Sequence, residues 1–187
     1  MISSLKILAA SALLISTTAC GAEETALSLD ANGLGGIGGG IGGGTSYSVE
    51  AVSAAMPGYT VTAEKYYAEG DAYPMLVVRD GDKLIAEVLS RYGDDAHVGS
   101  IIVKDAGITL EGRVAIGNAY GSVAPAPVEC VAGMEENAGM ALCRDGDISH
   151  IGLVFAGDWA GPDGELPPAD VLATFTVNVI TWSAGVL

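Results

Sequence analysis

Three acidic side chains lie close together in the segment DWAGPDGE, and their chemistry suits a calcium site. Asp158, Asp163 and Glu165 fall within eight residues of one another, and Ca²⁺ binds carboxylate and carbonyl oxygens. The segment lacks the D-x-D-x-D-G order of a known calcium loop, and turns are rich in acidic residues for structural reasons. These residues are therefore weak candidates for a metal site, and we predict no metal or cofactor.

Two further acidic pairs could perform acid–base chemistry. Glu135 and Glu136 are adjacent, as are Asp94 and Asp95, and glycoside hydrolysis uses two carboxylates, one as acid and one as base or nucleophile. In a chain with a net charge of −15, solvated acids are the simpler interpretation. A hydrolase that works through carboxylates stays open as an alternative function.

The histidines do not form a recognisable catalytic group. His97 and His150 are the two histidines of the chain, and neither lies at the spacing of a metal-binding motif. Ser149 precedes His150, but neighbours on a strand point to opposite faces and cannot form a catalytic dyad. The sequence also lacks a G-x-S-x-G motif. We therefore expect no enzymatic activity.

The N-terminus has the pattern of a bacterial export signal. Lys6 is followed by an apolar run from Ile7 to Ile15, and small residues lead up to Cys20. The ending TTAC resembles a lipobox, with Thr17 where leucine is usual, which predicts a signal peptide at residues 1–19 and a lipid on Cys20. Gly21 follows the cysteine, in place of the aspartate that is linked with retention at the inner membrane. We therefore expect the protein to be anchored at the outer membrane and to face the periplasm. Plain secretion with later cleavage is the alternative.

The other two cysteines, Cys130 and Cys143, bracket the turn-rich segment VAGMEENAGMAL. In an oxidising compartment such a pair indicates a structural disulfide. The spacing differs from the C-x-x-C of redox-active pairs, and a zinc site needs more ligands nearby. A disulfide here would stabilise the fold by roughly 3 kcal/mol.

The glycine-rich segment GLGGIGGGIGGG, residues 33–44, matches G-x-G-x-x-G formally. A dinucleotide-binding turn also needs a βαβ unit and an acidic residue about twenty positions on, and neither follows here. A glycine zipper is the second option, but twelve residues are too few to cross a membrane. We predict a flexible, lipid-anchored tether over residues 20–45, whose start could join the first strand, and a single domain over residues 46–187.

Beyond this tract the chain is typical of short strands. The segment TSYSVEAVSAAMPGY predicts one helix, capped by Thr45 or Ser46. Hairpins are predicted around Asp80-Gly81 and Asp145-Gly146, and VLATFTVNVITW predicts a final strand. The predicted fold is mainly β, an antiparallel sandwich-like sheet with one short N-terminal helix. An α+β fold is the alternative.

Charge limits the partners. An acidic chain without a basic stripe does not bind nucleic acid by phosphate neutralisation. Its negative charge is also repelled by anionic lipid surfaces, so membrane attachment is expected only through the lipid on Cys20. A group of aromatic residues either lines a binding face or belongs to a partly buried sheet edge; it comprises Tyr59, Tyr66, Tyr67, Tyr73 and Trp159.

The segments MPGYTV, EGDAYPMLVV, VECVAGMEENAGMALC, GPDGELPPADVL and the final ITW resemble the family of RpoE-regulated lipoproteins. These are small envelope proteins under the extracytoplasmic-stress sigma factor, without an assigned molecular activity. The resemblance spans about residues 30–182. It implies a mainly β domain, an outer-membrane lipid anchor and the Cys130–Cys143 disulfide, and it supplies no catalytic residue.

These observations predict an exported envelope lipoprotein with a non-catalytic role, in binding or in envelope maintenance linked to cell-envelope stress. Its partner would be another envelope protein. The alternatives are a periplasmic hydrolase that uses carboxylates and a calcium-binding module. A concave cluster of acids would favour the hydrolase, whereas an aromatic or apolar patch would favour binding.

Overall fold

The computed structural model describes residues 27–36, 39–162 and 164–185. The predicted signal peptide, Cys20 and Asp163 lie outside the described residues. The described elements are the strands β1 (Ser28–Asp30), β2 (Gly33–Gly36), β3 (Gly39–Ile41), β4 (Thr60–Ala68), β5 (Asp71–Asp80), β6 (Lys83–Arg91), β7 (Asp94–Val103), β8 (Thr109–Leu110), β9 (Val114–Ala115), β10 (Val128–Ala132), β11 (Ala141–Arg144), β12 (Ile151–Ala156) and β13 (Thr176–Ser183), with the helices α1 (Val49–Ala55) and α2 (Ala169–Leu172).

Eight strands form one antiparallel sheet in the order β10-β11-β12-β13-β7-β6-β5-β4. The strands β4 to β7 follow one another as a meander, and β7 then pairs with β13. The predicted hairpins are both present. Asp80 pairs with Lys83 across a two-residue turn, and β11 pairs with β12 across a longer connection that begins at Asp145.

Five short strands form a second sheet in the order β3-β2-β1-β8-β9. Its pairs are antiparallel except that β1 runs parallel to β8, with Leu29 opposite Leu110. One hydrophobic core contains side chains from both sheets, including Leu29 and Leu110 from the smaller sheet and Ile101 and Ile180 from the larger one. The Trp182 indole also donates a hydrogen bond to the carbonyl of Ala31 at 3.0 Å. The prediction of a mainly β fold is confirmed.

The glycine tract belongs to the folded domain, which corrects the prediction of a flexible tether up to residue 45. It forms β2 and β3, and Leu34 and Ile41 are buried in the core. Gly33 has a φ of +135°, and a Cβ on Gly40 would lie 2.7 Å from the carbonyl oxygen of Leu34. Glycine is required because the strands approach too closely for side chains. The glycine-rich composition alone suggested a flexible chain, but these glycines allow the strands to pack closely.

The predicted helix forms, but it begins later than expected. Ser48 is the N-cap, and its hydroxyl accepts a hydrogen bond from the N–H of Ala51 at 3.1 Å. Thr45 instead accepts a bond from the N–H of Gly42. Val52 and Met56 are buried as amphipathic spacing requires, whereas Val49 is exposed.

The final strand begins later than VLATFTVNVITW indicates, because α2 occupies the start of this segment. The alternation of buried and exposed side chains also breaks within this strand, after Val177. In the pairing with β12, Val177 lies opposite Phe155 and Val179 opposite Val154, so Asn178 is an extra residue in β13. Such a bulge changes which side chains face inward. The buried positions after it are therefore Ile180 and Trp182.

Candidate binding site

The hairpin β4–β5 positions the most exposed group of aromatic side chains that the described ranges contain. Nine consecutive residue pairs join its strands without a bulge, from Thr60–Arg79 to Ala68–Asp71. The turn residues Glu69 and Gly70 have φ values of +52° and +88°. Two positive φ values in a two-residue turn match the twist of the flanking strands. The turn thus fixes the register and with it the positions of the tyrosines.

Tyr66 and Tyr73 lie directly opposite each other in this register, so their side chains share one face. Their rings stack, with centroids 5.2 Å apart and an interplanar angle of 24°. Tyr66 remains 36% exposed and Tyr73 39% exposed. The stack holds both rings in place while it leaves apolar surface open to solvent.

A third tyrosine lies at the same end of the sheet. Tyr92 is fully exposed in the turn between β6 and β7. With the stacked pair it borders a cleft of about 520 Å³. We call this site the tyrosine cleft; its main lining residues are Tyr66, Tyr73, Pro74, Leu89, Arg91 and Tyr92.

Arg91 is held at the wall of the tyrosine cleft by two partners. Its Nη2 donates to the carbonyl of Gly43 at 2.9 Å, and its Nη1 lies 3.7 Å from the carboxylate of Asp94. Asp94 also contacts the ring Nδ1 of His97 at 2.9 Å. The hydrogen bond with His97, and then that from the N–H of Ala96, lower the pKa of Asp94. The glycine tract therefore helps to position a cation in the cleft.

Tyr47 lies close to the same cleft. Burial raises the pKa of its hydroxyl, and the neighbouring Tyr66 and Asp95 raise it further. Asp95 also lines the cleft. The hydroxyl of Tyr47 therefore stays protonated at neutral pH.

Only part of the predicted aromatic group forms a site. Tyr66 and Tyr73 come together, whereas Tyr67 lies on the opposite face of the hairpin and is 74% exposed. Tyr59 and Trp159 pack against the core. Arg91 ends β6 and Tyr92 follows it; both were missed because only the sheet topology brings the end of β6 beside the tyrosines of the hairpin. The RYGD turn was the one local signal for that neighbourhood.

Among the described acidic candidates, Asp94 is half-buried and the others are exposed. Asp158 and Glu165 lie in an irregular segment after β12, and Glu135 and Glu136 begin a single 3₁₀ turn between β10 and β11. Asp94 and Asp95 lie at the start of β7. Within the described ranges, no three His, Cys, Asp or Glu side chains converge in a group that could hold a metal ion.

Cys130 and Cys143 are joined by a disulfide. The bond links β10 to β11, at the end of the large sheet opposite to the tyrosine cleft. Among the described helices, none has the length and apolarity needed to span a membrane.

Comparison with known proteins identifies relatives over most of the chain. The uncharacterised protein YfeY of Escherichia coli (strain K12) is 27% identical over 140 residues, which cover 74% of this chain and 72% of YfeY. The crystal structure of yfeY from Escherichia coli has a similar fold, with a TM-score of 0.64 and 22% identity, over 85% of this chain and 99% of that structure. A sequence model of the family described as a protein of unknown function, DUF1131, matches residues 25–184. The chain belongs to this family.

Proposed function

We propose that this protein is a non-catalytic binding module of the bacterial cell envelope and that the tyrosine cleft is its recognition surface. The observation that carries the proposal is the exposed stack of Tyr66 and Tyr73 beside the fully exposed Tyr92. Tyrosine and arginine are the residue types enriched where proteins bind partners. Here three tyrosines and Arg91 surround one concave surface.

The rigidity of the tyrosine cleft also supports a binding role. The stacked pair is fixed by the register of a bulge-free hairpin, and Arg91 is bonded to the backbone of Gly43. Side chains that are already ordered lose little conformational entropy when a partner binds. A pre-organised aromatic cleft therefore suits recognition.

The proposed location is the outer membrane, with the domain facing the periplasm. The support is the predicted export signal at residues 1–19, the lipobox-like ending at Cys20 and the resemblance to RpoE-regulated lipoproteins, which also suggests a role in envelope stress. Radioactive palmitate labelling in a bacterial host tests the anchor. Wild-type protein should carry label and Cys20→Ala should not; an unlabelled wild type would contradict the lipid anchor.

Crosslinking in cells tests the recognition surface. A photo-activatable phenylalanine analogue is introduced at Tyr92, in the cleft, or at Met134, which is 66% exposed and follows β10 at the far end of the sheet. The proposal predicts a discrete adduct with another envelope protein from position 92 and none from position 134. Equal adducts from both positions, or none from position 92, would contradict it.

A further inference from the structure

β4 is the last strand of the eight-stranded sheet, and its outer edge has no strand partner among the described residues. It is nine residues long, and the residues after Val61 are exposed. The other end of the sheet differs, because β10 contains a register shift and a positive φ at Glu129. Irregular edges resist the addition of another strand, whereas long, regular edges permit it. β4 is such a regular edge.

Pro74 indicates which backbone groups face this edge. It lies opposite Lys65 in the β4–β5 ladder. Proline has no N–H, so it is tolerated where the N–H of that position would point away from the neighbouring strand. Pro74 and Lys65 therefore form a non-hydrogen-bonded pair, in which the N–H and C=O groups of each residue point away from the other strand. Such pairs alternate with hydrogen-bonded pairs along an antiparallel ladder. We therefore expect Ala63, Lys65 and Tyr67 to present their backbone groups to the free edge.

The tyrosine cleft opens beside the same strand. Tyr66 belongs to β4 and lines the cleft, and Glu64 shares its face of the strand. A strand added to β4 would therefore direct alternate side chains towards the cleft. Main-chain hydrogen bonds at an edge with a pocket for one side chain are the two components of peptide recognition by strand addition.

Charge favours one occupant of this edge. The edge strand carries Glu64 and Lys65, and exposed acids around it include Glu69, Asp71 and Asp95; the whole chain has a net charge of −15. A second copy would carry the same net negative charge and would be repelled. An extended segment with basic side chains is attracted by it.

We propose that the free edge of β4, from Thr62 to Ala68, binds an extended, basic polypeptide segment of another protein as an added strand, with one side chain of that segment in the tyrosine cleft. The inference rests on the proposed function, since it specifies the partner of the same cleft. The inference differs from the proposed function because it also requires backbone hydrogen bonds between the partner segment and the edge of β4.

The test uses the full exported protein and a displayed library of random twelve-residue peptides. The most enriched peptide is synthesised in two N-methylated forms, one for each alternate set of residues. N-methylation removes the N–H groups that an added strand would donate, and the two forms control for each other. One form should lose affinity by about tenfold or more and the other should bind as the parent does. Hydrogen exchange of Ala63, Lys65 and Tyr67 should slow when the parent peptide binds.

Several results would overturn the inference: no enriched peptide, enriched peptides that are not basic, equal binding by both N-methylated forms, or unchanged exchange along β4. A dimer that forms through β4 would overturn it as well. If both forms bind equally but Tyr66→Ala with Tyr73→Ala abolishes binding, strand addition is wrong and the proposed function stands. If that double variant binds like wild type and position 92 yields no adduct, the proposed function fails too.

Discussion

Arg113 donates two hydrogen bonds to the carboxylate of Asp145, from Nη1 to Oδ2 at 2.9 Å and from Nη2 to Oδ1 at 2.7 Å. Arg113 lies between β8 and β9 of the small sheet, and Asp145 follows β11 of the large sheet. The Asp145 side chain is fully buried. It also accepts hydrogen bonds from the N–H groups of Asp147 and Ile148. This bidentate pair therefore joins the two sheets and shapes the β11–β12 connection.

Replacing one member of this pair should destabilise the fold strongly. Arg113→Met leaves a buried carboxylate without its cation, which costs on the order of 3–5 kcal/mol. Arg79→Met is the control because its pair with Glu64 is longer, at 3.5 Å, and partly exposed; its loss should cost less than about 1 kcal/mol. Urea unfolding measures both. Similar values for the two variants would contradict a stabilising role for the buried pair.

The same carboxylate should make stability depend on pH. Burial raises the pKa of Asp145, but the bonds from Arg113, Ile148 and Asp147 outweigh it and hold the pKa below the ordinary 3.8. A lowered pKa stabilises the fold above 3.8, and this contribution is lost as the pH falls through the folded-state value. Thermal unfolding at a series of acidic pH values should show a steeper loss for wild type than for Asp145→Asn. Parallel curves would refute the assignment.

Local turn chemistry explains which elements the sequence predicted. Asp80-Gly81 predicted its hairpin because aspartate and glycine suit a tight turn whatever surrounds them. The pairing of Arg113 with Asp145 joins residues 32 positions apart, and no local pattern indicates it. The sequence predicted the tyrosine cleft only in part. Tyr66 and Tyr73 belong to one hairpin, whereas Tyr92 lies near them only because of the order of strands in the sheet. The prediction of a flexible tether over the glycine tract was wrong because a glycine-rich composition suits both a flexible chain and closely packed strands.

Substitutions in the glycine tract test whether it is packed. A Cβ on Gly40 would lie 2.7 Å from the oxygen of Leu34 and 2.8 Å from the Cα of Gly35, whereas one on Gly44 would have nothing within 4 Å. Gly40→Ala should lower the free energy of unfolding by about 1–3 kcal/mol. The matched change Gly44→Ala should leave it unchanged or slightly higher. A flexible tract would instead tolerate both changes equally.

The disulfide should stabilise the β10–β11 hairpin against unfolding. Cys130 and Cys143 are 13 residues apart, and closing a loop of this length contributes about 3 kcal/mol on the chain-entropy account. Reductant should therefore lower the melting temperature of the wild-type protein. The Cys130→Ser, Cys143→Ser double variant is the control and should not respond to reductant. An unchanged wild-type melting temperature, with reduction verified by thiol titration, would show that the bond contributes no stability.

The most direct test of the central claim is the yield of the crosslinked adduct from position 92 when the stacked pair is removed. Tyr66→Ala with Tyr73→Ala should reduce that yield about tenfold or more, because buried aromatic anchors carry much of the energy at binding surfaces. Met134→Ala removes an exposed apolar side chain at the far end of the sheet and should leave the yield unchanged. A double variant that forms the adduct as well as wild type would contradict recognition through the tyrosine cleft.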